Sequence, residues 1–301
     1  MNDGWIYQER LGARAVGRRL DDYLADTWAH STLAKWREHI LGGRVLLDGE
    51  RVGVDAVLVL GQTVEWLRPP WEEPAAPLLL TVLYDEGDVI VVAKPAGLPT
   101  LPGGGFLQHT LLHQLRLLDA TASPAHRLGR WTSGAVLCSR GPAHGASLAG
   151  QFASRSIHKR YRALVSGLPE HDRFDVHTPI GPVPYPPLGT VHAANPEGRR
   201  SESTVTVIER RGDSSLCDVT IATGRPHQIR IHLAAAGHPL VGDPLYVVGG
   251  HPSSGGSAVP GDPGYHLHSA SIGFQHPGNG RRVVVAAPPP EILELAVSSS
   301  S

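Results

Sequence analysis

Four prolines fall within nine residues at Pro69-Pro70-Trp71-Glu72-Glu73-Pro74-Ala75-Ala76-Pro77. Proline donates no backbone hydrogen bond and holds φ fixed, so no helix or strand runs through such a segment. It divides the 301 residues into a short part and a long part with different periods. Before it, Leu20, Tyr23 and Leu24 recur at i, i+3, i+4, and Leu33, Trp36 and Ile40 at i, i+3, i+7, which predicts two short helices. Gly42-Gly43 stop the second, and residues 45–52 read as a hairpin about the Asp48-Gly49 turn. A small domain over 16–68 and a linker over 69–77 follow.

The remainder, 78–296, carries strand patterns with helices interspersed. Residues 89–93 read as a buried strand closed by Lys94-Pro95, with further strands at 161–165 and 216–222. Apolar residues at helical spacing predict helices over 111–118, 146–154 and 229–236. Helices and strands do not alternate strictly, which predicts an α+β fold over a doubly wound parallel sheet. Residues 247–264 and the Ser298–Ser301 tail have loop composition and are expected to be mobile.

No run approaches the roughly 18 apolar residues of a membrane span, so no membrane partner is expected. Met1 leads into charged and polar residues, and Cys138 and Cys217 are too few for a disulfide framework, which points to a reducing cytoplasm. The 17 histidines show no metal-ligand spacing, and Gly103-Gly104-Gly105 lacks the Lys-Ser/Thr of a phosphate loop. Neither metal nor nucleotide cofactor is expected.

The charge total, 27 basic against 28 acidic side chains, conceals a local asymmetry. No acidic residue occurs from 120 to 169, whereas Arg127, Arg130, Arg140, Arg155, Lys159, Arg160 and Arg162 all do. A basic face of this kind is the footprint of a phosphate-rich partner. The alternative is that carboxylates from elsewhere in the chain neutralise it.

Four blocks carry the chemistry. They are Leu83-Tyr84-Asp85 with Val91-Val92-Ala93-Lys94-Pro95-Ala96-Gly97-Leu98-Pro99; His126-Arg127-Leu128-Gly129-Arg130-Trp131-Thr132-Ser133-Gly134; Lys159-Arg160-Tyr161-Arg162-Ala163-Leu164-Val165-Ser166-Gly167; and Thr223-Gly224-Arg225-Pro226-His227-Gln228-Ile229-Arg230-Ile231-His232-Leu233, continuing to Tyr246. In this order, over roughly 80–290, they resemble the RluA-type pseudouridine synthase family. The earlier part resembles an S4 RNA-binding domain through Arg18-Arg19-Leu20-Asp21 and the 43–49 segment, although Ser31-Thr32 stands where a Ser-Arg pair is usual. The resemblance implies a mixed or antiparallel sheet core with flanking helices, an RNA partner, no cofactor, and isomerisation of uridine to pseudouridine. It implies further that Tyr161 stacks on the target base and that Arg225 pairs with a catalytic carboxylate. Arg127, Arg130, Lys159, Arg160, Arg162, His227 and Arg230 are the implied RNA contacts, with a structural role also open for His227.

One position departs from the pattern. Where the family reads His-Arg-Leu-Asp, with the aspartate catalytic, this chain has Gly129. Glycine offers neither nucleophile nor base, and no carboxylate lies between 120 and 169 to replace it. Asp243 belongs to the ordinary Gly-Asp-Pro pattern and reads as structural. Three functions remain open: a synthase without this aspartate, an RNA-binding protein that retains the uridine pocket without catalysis, and an activity on a free nucleotide.

Overall fold

The protein is described by a computed structural model over residues 1–296; the 298–301 tail lies outside the described residues. The chain forms two units, Met1–Glu73 and the part from Pro74 onward.

The first unit holds β1 (Trp5–Arg10), α1 (Leu20–Thr27), α2 (Leu33–Leu41), β2 (Val45–Leu47), β3 (Glu50–Arg51) and β4 (Thr63–Arg68), with sheet order β1-β4-β2-β3. Its core is made by the residues of helical period, Leu20, Tyr23, Leu24, Trp36 and Ile40, packed on Val45, Leu47, Val64 and Trp66. The hairpin turn has φ of 52° at Asp48 and 83° at Gly49, the two positive angles of a type I′ turn. β1 lies outside the 16–68 span because its residues are largely exposed and show no apolar period. The proline-rich segment is itself divided. Asn2 Nδ2 donates to Glu73 at 2.8 Å and Trp71 N–H donates to Asn2 Oδ1, so residues up to 73 belong to the first unit.

The second unit contains β5 (Thr81–Glu86), β6 (Val89–Lys94), α3 (Leu111–Leu118), β7 (Ala122–Pro124), β8 (Ser133–Arg140), α4 (Pro142–Ala153), β9 (His158–Ser166), β10 (Arg173–Val176), β11 (Ile180–Tyr185), β12 (Gly189–Ala194), β13 (Ser203–Arg211), β14 (Ser214–Ile221), α5 (Gln228–Ala235), β15 (Tyr246–Val247), β16 (His251–Pro252), β17 (Leu267–Gln275) and β18 (Arg282–Ala286). The principal sheet runs β10-β13-β14-β9-β17-β8-β6-β5, with β18 on β17 and β7 on β8. All its pairings are antiparallel except β17 with β8, so the fold is α+β with a mixed sheet.

Alternation along the central strands sorts their chemistry. Tyr161, Ala163 and Val165 of β9 join Cys217 and Val219 of β14 in one buried cluster, while Arg160, Arg162 and Asp218 occupy the intervening positions. Helix α4 begins at Pro142, earlier than apolar spacing indicates, because proline is suited to the first helical position and Gly141 (φ 72°) makes the turn into it. The 247–264 stretch is not wholly irregular. It carries β16, and long side chains hold its carbonyls: Tyr185 Oη donates to Ala258 O at 2.6 Å, Arg230 Nη1 to Pro260 O at 3.0 Å and Trp131 Nε1 to Gly261 O at 2.9 Å. Lys94 is buried at the end of β6, and its ammonium donates to the carbonyls of Pro95, Leu98 and Arg130 at 2.9, 2.7 and 3.0 Å. That clasp fixes the segment that follows Gly129.

Candidate active site

A cavity of about 380 Å³ opens over the second and fourth sequence blocks, lined by residues of 125–132, β9, the turn into α5, and Tyr265 and Leu267. Strand β9 contributes Lys159 and Tyr161. Tyr161 is 7% exposed, its hydroxyl has no hydrogen bond among the described residues, and burial pushes the phenol up to about 12. Lys159 is drawn below its ordinary value by burial. His126 is pulled down to about 3, by burial first and then by the Lys159 charge, and its Nε2 accepts Leu137 N–H at 3.1 Å. Both the hydrogen bond and the shift describe a neutral ring.

The turn before α5 is set by Gln228. Its Oε1 accepts Thr223 Oγ1–H at 2.7 Å and Arg225 N–H at 3.0 Å, while Nε2 donates to Glu202 O and Ser203 Oγ. Every polar valence of this buried amide is used locally, which makes it a clip for the loop. His227 precedes the helix with φ 54°, and its Nδ1 lies 2.7 Å from Tyr246 Oη.

The two arginines around the start of α5 have different partners. Arg225 donates from Nε and Nη2 to Arg200 O at 3.4 and 3.3 Å and meets no carboxylate among the described residues. Arg230, 3% exposed, forks onto both oxygens of Asp243 at 2.7 Å, with its guanidinium 4.1 Å from the centre of the Tyr265 ring. Asp243 also accepts the N–H groups of Leu245 and Tyr246. Three of these four hydrogen bonds fall on Oδ1 and one on Oδ2, and the Asp243 side chain is buried and does not line the cavity.

Gly129 stands at the lip. A Cβ built there would lie 3.0 Å from Tyr265 Oη and 3.4 Å from Thr132 Oγ1, so the tyrosine hydroxyl crowds any side chain at 129. Tyr265 stands outside the four sequence blocks, and His126 opens the second block without a role assigned to it. Tyr265 follows a Gly/Pro-rich loop and has no local pattern that would mark it.

The implied RNA contacts separate by strand alternation. Arg127 and Lys159 line the cavity with Arg225, His227 and Arg230. Arg160 and Arg162 do not: they project from the other face of β9 and bind Asp218 at 2.8 and 2.7 Å. Arg140 likewise meets Asp85 and Asp119. Three of the seven basic residues of the acid-free stretch are thus neutralised by carboxylates from other segments. Arg130 also lies off the cavity lining, with Nε donating to Gly97 O at 3.1 Å and its guanidinium over Phe106. Among the described residues, no group of three or more His, Cys, Asp or Glu side chains could hold a metal ion, and no helix is long and apolar enough to cross a membrane.

The sequence profile of a family described as RNA pseudouridylate synthase matches residues 88–235, the span that holds Gly129, Tyr161, Arg225 and Arg230. The chain is 40% identical to an uncharacterised RNA pseudouridine synthase of Synechocystis sp., over 92% of this chain and 97% of that one. The chain belongs to the RNA pseudouridylate synthase family. RNA pseudouridine synthase 5 of Arabidopsis thaliana is a further relative, 37% identical over 98% of this chain and 95% of its own. Among solved structures, human RNA pseudouridylate synthase domain containing 1 superposes with a TM-score of 0.58 at 26% identity, covering 73% of this chain and 87% of that one. Among the described residues, no carboxylate contributes to the lining of the cavity.

Proposed function

We propose that this chain is an RluA-type RNA pseudouridine synthase that isomerises uridine to pseudouridine in RNA, with Gly129 at the position where the family pattern has its catalytic aspartate. One observation carries the reading: Tyr161 forms a buried aromatic wall in a cavity where Arg127, Lys159 and Arg225 make no ion pair among the described residues. A stacked or paired uridine must leave its stack to enter such a cavity, at a cost of a few kcal/mol. The aromatic wall offers it a new stacking surface, and the cations offer its phosphates a hold. Isomerisation then requires the C1′–N1 bond to break, the base to turn, a C1′–C5 bond to form, the C5 proton to leave and N1 to take up a proton. Tyr161 is the side chain we assign to the base, with Arg225 at the rim.

The first unit is read as an S4-like RNA-binding domain, because its two helices lead into the turn of the 43–49 segment. A cytoplasmic location accords with two buried, free cysteines. The cavity's lack of a carboxylate favours a second reading, an RNA-binding protein that accommodates a uridine without converting it. Release of tritium from RNA carrying 5-tritiated uridine separates the two. Release that disappears in Tyr161→Phe supports the synthase; binding without release supports the second reading.

A further inference from the structure

The uridine reading leaves a question of selectivity. Uracil and cytosine differ at N3, which carries a proton in uracil and a lone pair in cytosine. A fixed hydrogen-bond acceptor facing that edge would take one and refuse the other.

The lining supplies such an acceptor. Tyr246 Oη lies 2.7 Å from His192 O, and a carbonyl only accepts, so the single phenolic proton is committed there. The same oxygen lies 2.7 Å from His227 Nδ1, and the proton on that line must come from the imidazole. Nδ1 is therefore the N–H of the ring. Burial first, then the Arg230 charge, pulls His227 down to about 4 against the opposing effect of Asp243, so the ring is neutral near pH 7. A neutral ring with its proton on Nδ1 has a bare lone pair on Nε2. No described residue donates to that nitrogen, and the ring lines the same cavity as Tyr161. The side-chain amide acceptor on the lining, Gln228 Oε1, is already occupied by Thr223 and Arg225. Backbone geometry adds a second observation, since a non-glycine residue held at φ 54° is costly and is concentrated where position matters.

We propose that His227 is a specificity-determining residue whose Nε2 accepts the N3–H of the bound uracil, with Tyr246 as the positioning residue that fixes the tautomer. This rests on the uridine reading of the cavity but not on catalysis. Fluorescein-labelled hexauridylate, hexacytidylate and N3-methylated hexauridylate, titrated into the full chain and read by anisotropy, test it. The unmodified protein binds hexauridylate at least about tenfold more tightly than either of the others, the lower part of the range expected when a buried acceptor is left unpaired. In His227→Asn, which tolerates the left-handed backbone, the preference falls to within about twofold. Tyr246→Phe keeps the histidine but frees its tautomer, and the preference falls there too, with the melting curve as a check on folding. Equal binding of the three oligonucleotides by the unmodified protein, binding of none at millimolar concentration, or an undiminished preference in Tyr246→Phe overturns the proposal. Tritium release is scored separately, so a uridine preference without release overturns the synthase reading and leaves this one standing.

Discussion

Adding a side chain at Gly129 should strain the pocket through one contact. A Cβ there lies 3.0 Å from Tyr265 Oη, and ordinary contact begins near 3.4 Å, so the hydroxyl must retreat by about 0.4 Å. It has little room to do so. Tyr265 is 5% exposed, and its ring packs on the Arg230 guanidinium, which is itself held by both oxygens of Asp243. Overpacking of this kind costs about 1–3 kcal/mol, so Gly129→Ala should lower the melting temperature by roughly 2–12 °C. Tyr265→Phe removes the offending atom and loses only a long contact of 3.4 Å to Thr132 Oγ1, which makes it nearly neutral alone. The double variant should recover at least half of the loss. Thermal unfolding of the four proteins gives the coupling directly. Gly129→Ala at the unmodified melting temperature, or strictly additive effects, would refute the reasoning. The same geometry identifies the background in which a carboxylate fits: Gly129→Asp with Tyr265→Phe should release more tritium than Gly129→Asp alone.

Tyr161→Phe should change stability by less than about 0.5 kcal/mol, because its hydroxyl has no partner among the described residues, while abolishing tritium release; release at the unmodified rate would contradict its assignment to the base. Asp218→Asn leaves Arg160 and Arg162 without their carboxylate and, with Arg160 43% exposed and screened by solvent, should cost about 1–2 kcal/mol in urea unfolding. Because those arginines project from the face of β9 opposite Tyr161, RNA affinity should stay within about threefold, and a larger change would show that this face also binds. Acidification should destabilise the fold before the carboxylates titrate. His126, His227 and His232 are held near 3, 4 and 4, chiefly by burial, against 6.5 for a free histidine. Between about 4 and 6.5 the unfolded chain binds protons that the native state does not, so stability rises with pH there. Urea unfolding at pH 7 and pH 5 checks this, and equal or greater stability at pH 5 would refute it.

Helix α3 was readable to the residue because Leu111 to Leu118 keep one apolar face and Thr110 caps the start by accepting His113 N–H. The hairpin of β11 and β12 was not, since Pro182 and Pro184 break the usual strand pattern and most of the residues between are exposed. Within the site, the blocks led to Tyr161, Lys159 and Arg127, but the charge count did not show which arginines were free. That depends on the register that sets Asp218 opposite Arg162, a pairing between residues 56 apart in the chain. The Arg230–Asp243 fork and the closeness of Tyr265 to Gly129 depend on long-range packing in the same way, and neither leaves a periodic trace.

The three lysines of the chain occupy three chemical environments, which makes the protein its own labelling experiment. Lys35 is half exposed on α2 beside Glu38 and should react with an acylating reagent whatever the pocket holds. Lys94 has all three ammonium protons engaged by carbonyls and should stay unmodified until the fold opens. Lys159, in the cavity and with its proton loosened by burial, should be modified in the free protein and shielded when a nucleotide occupies the site. Mass spectrometry of three peptides then reports reagent dose, fold integrity and occupancy from a single tube.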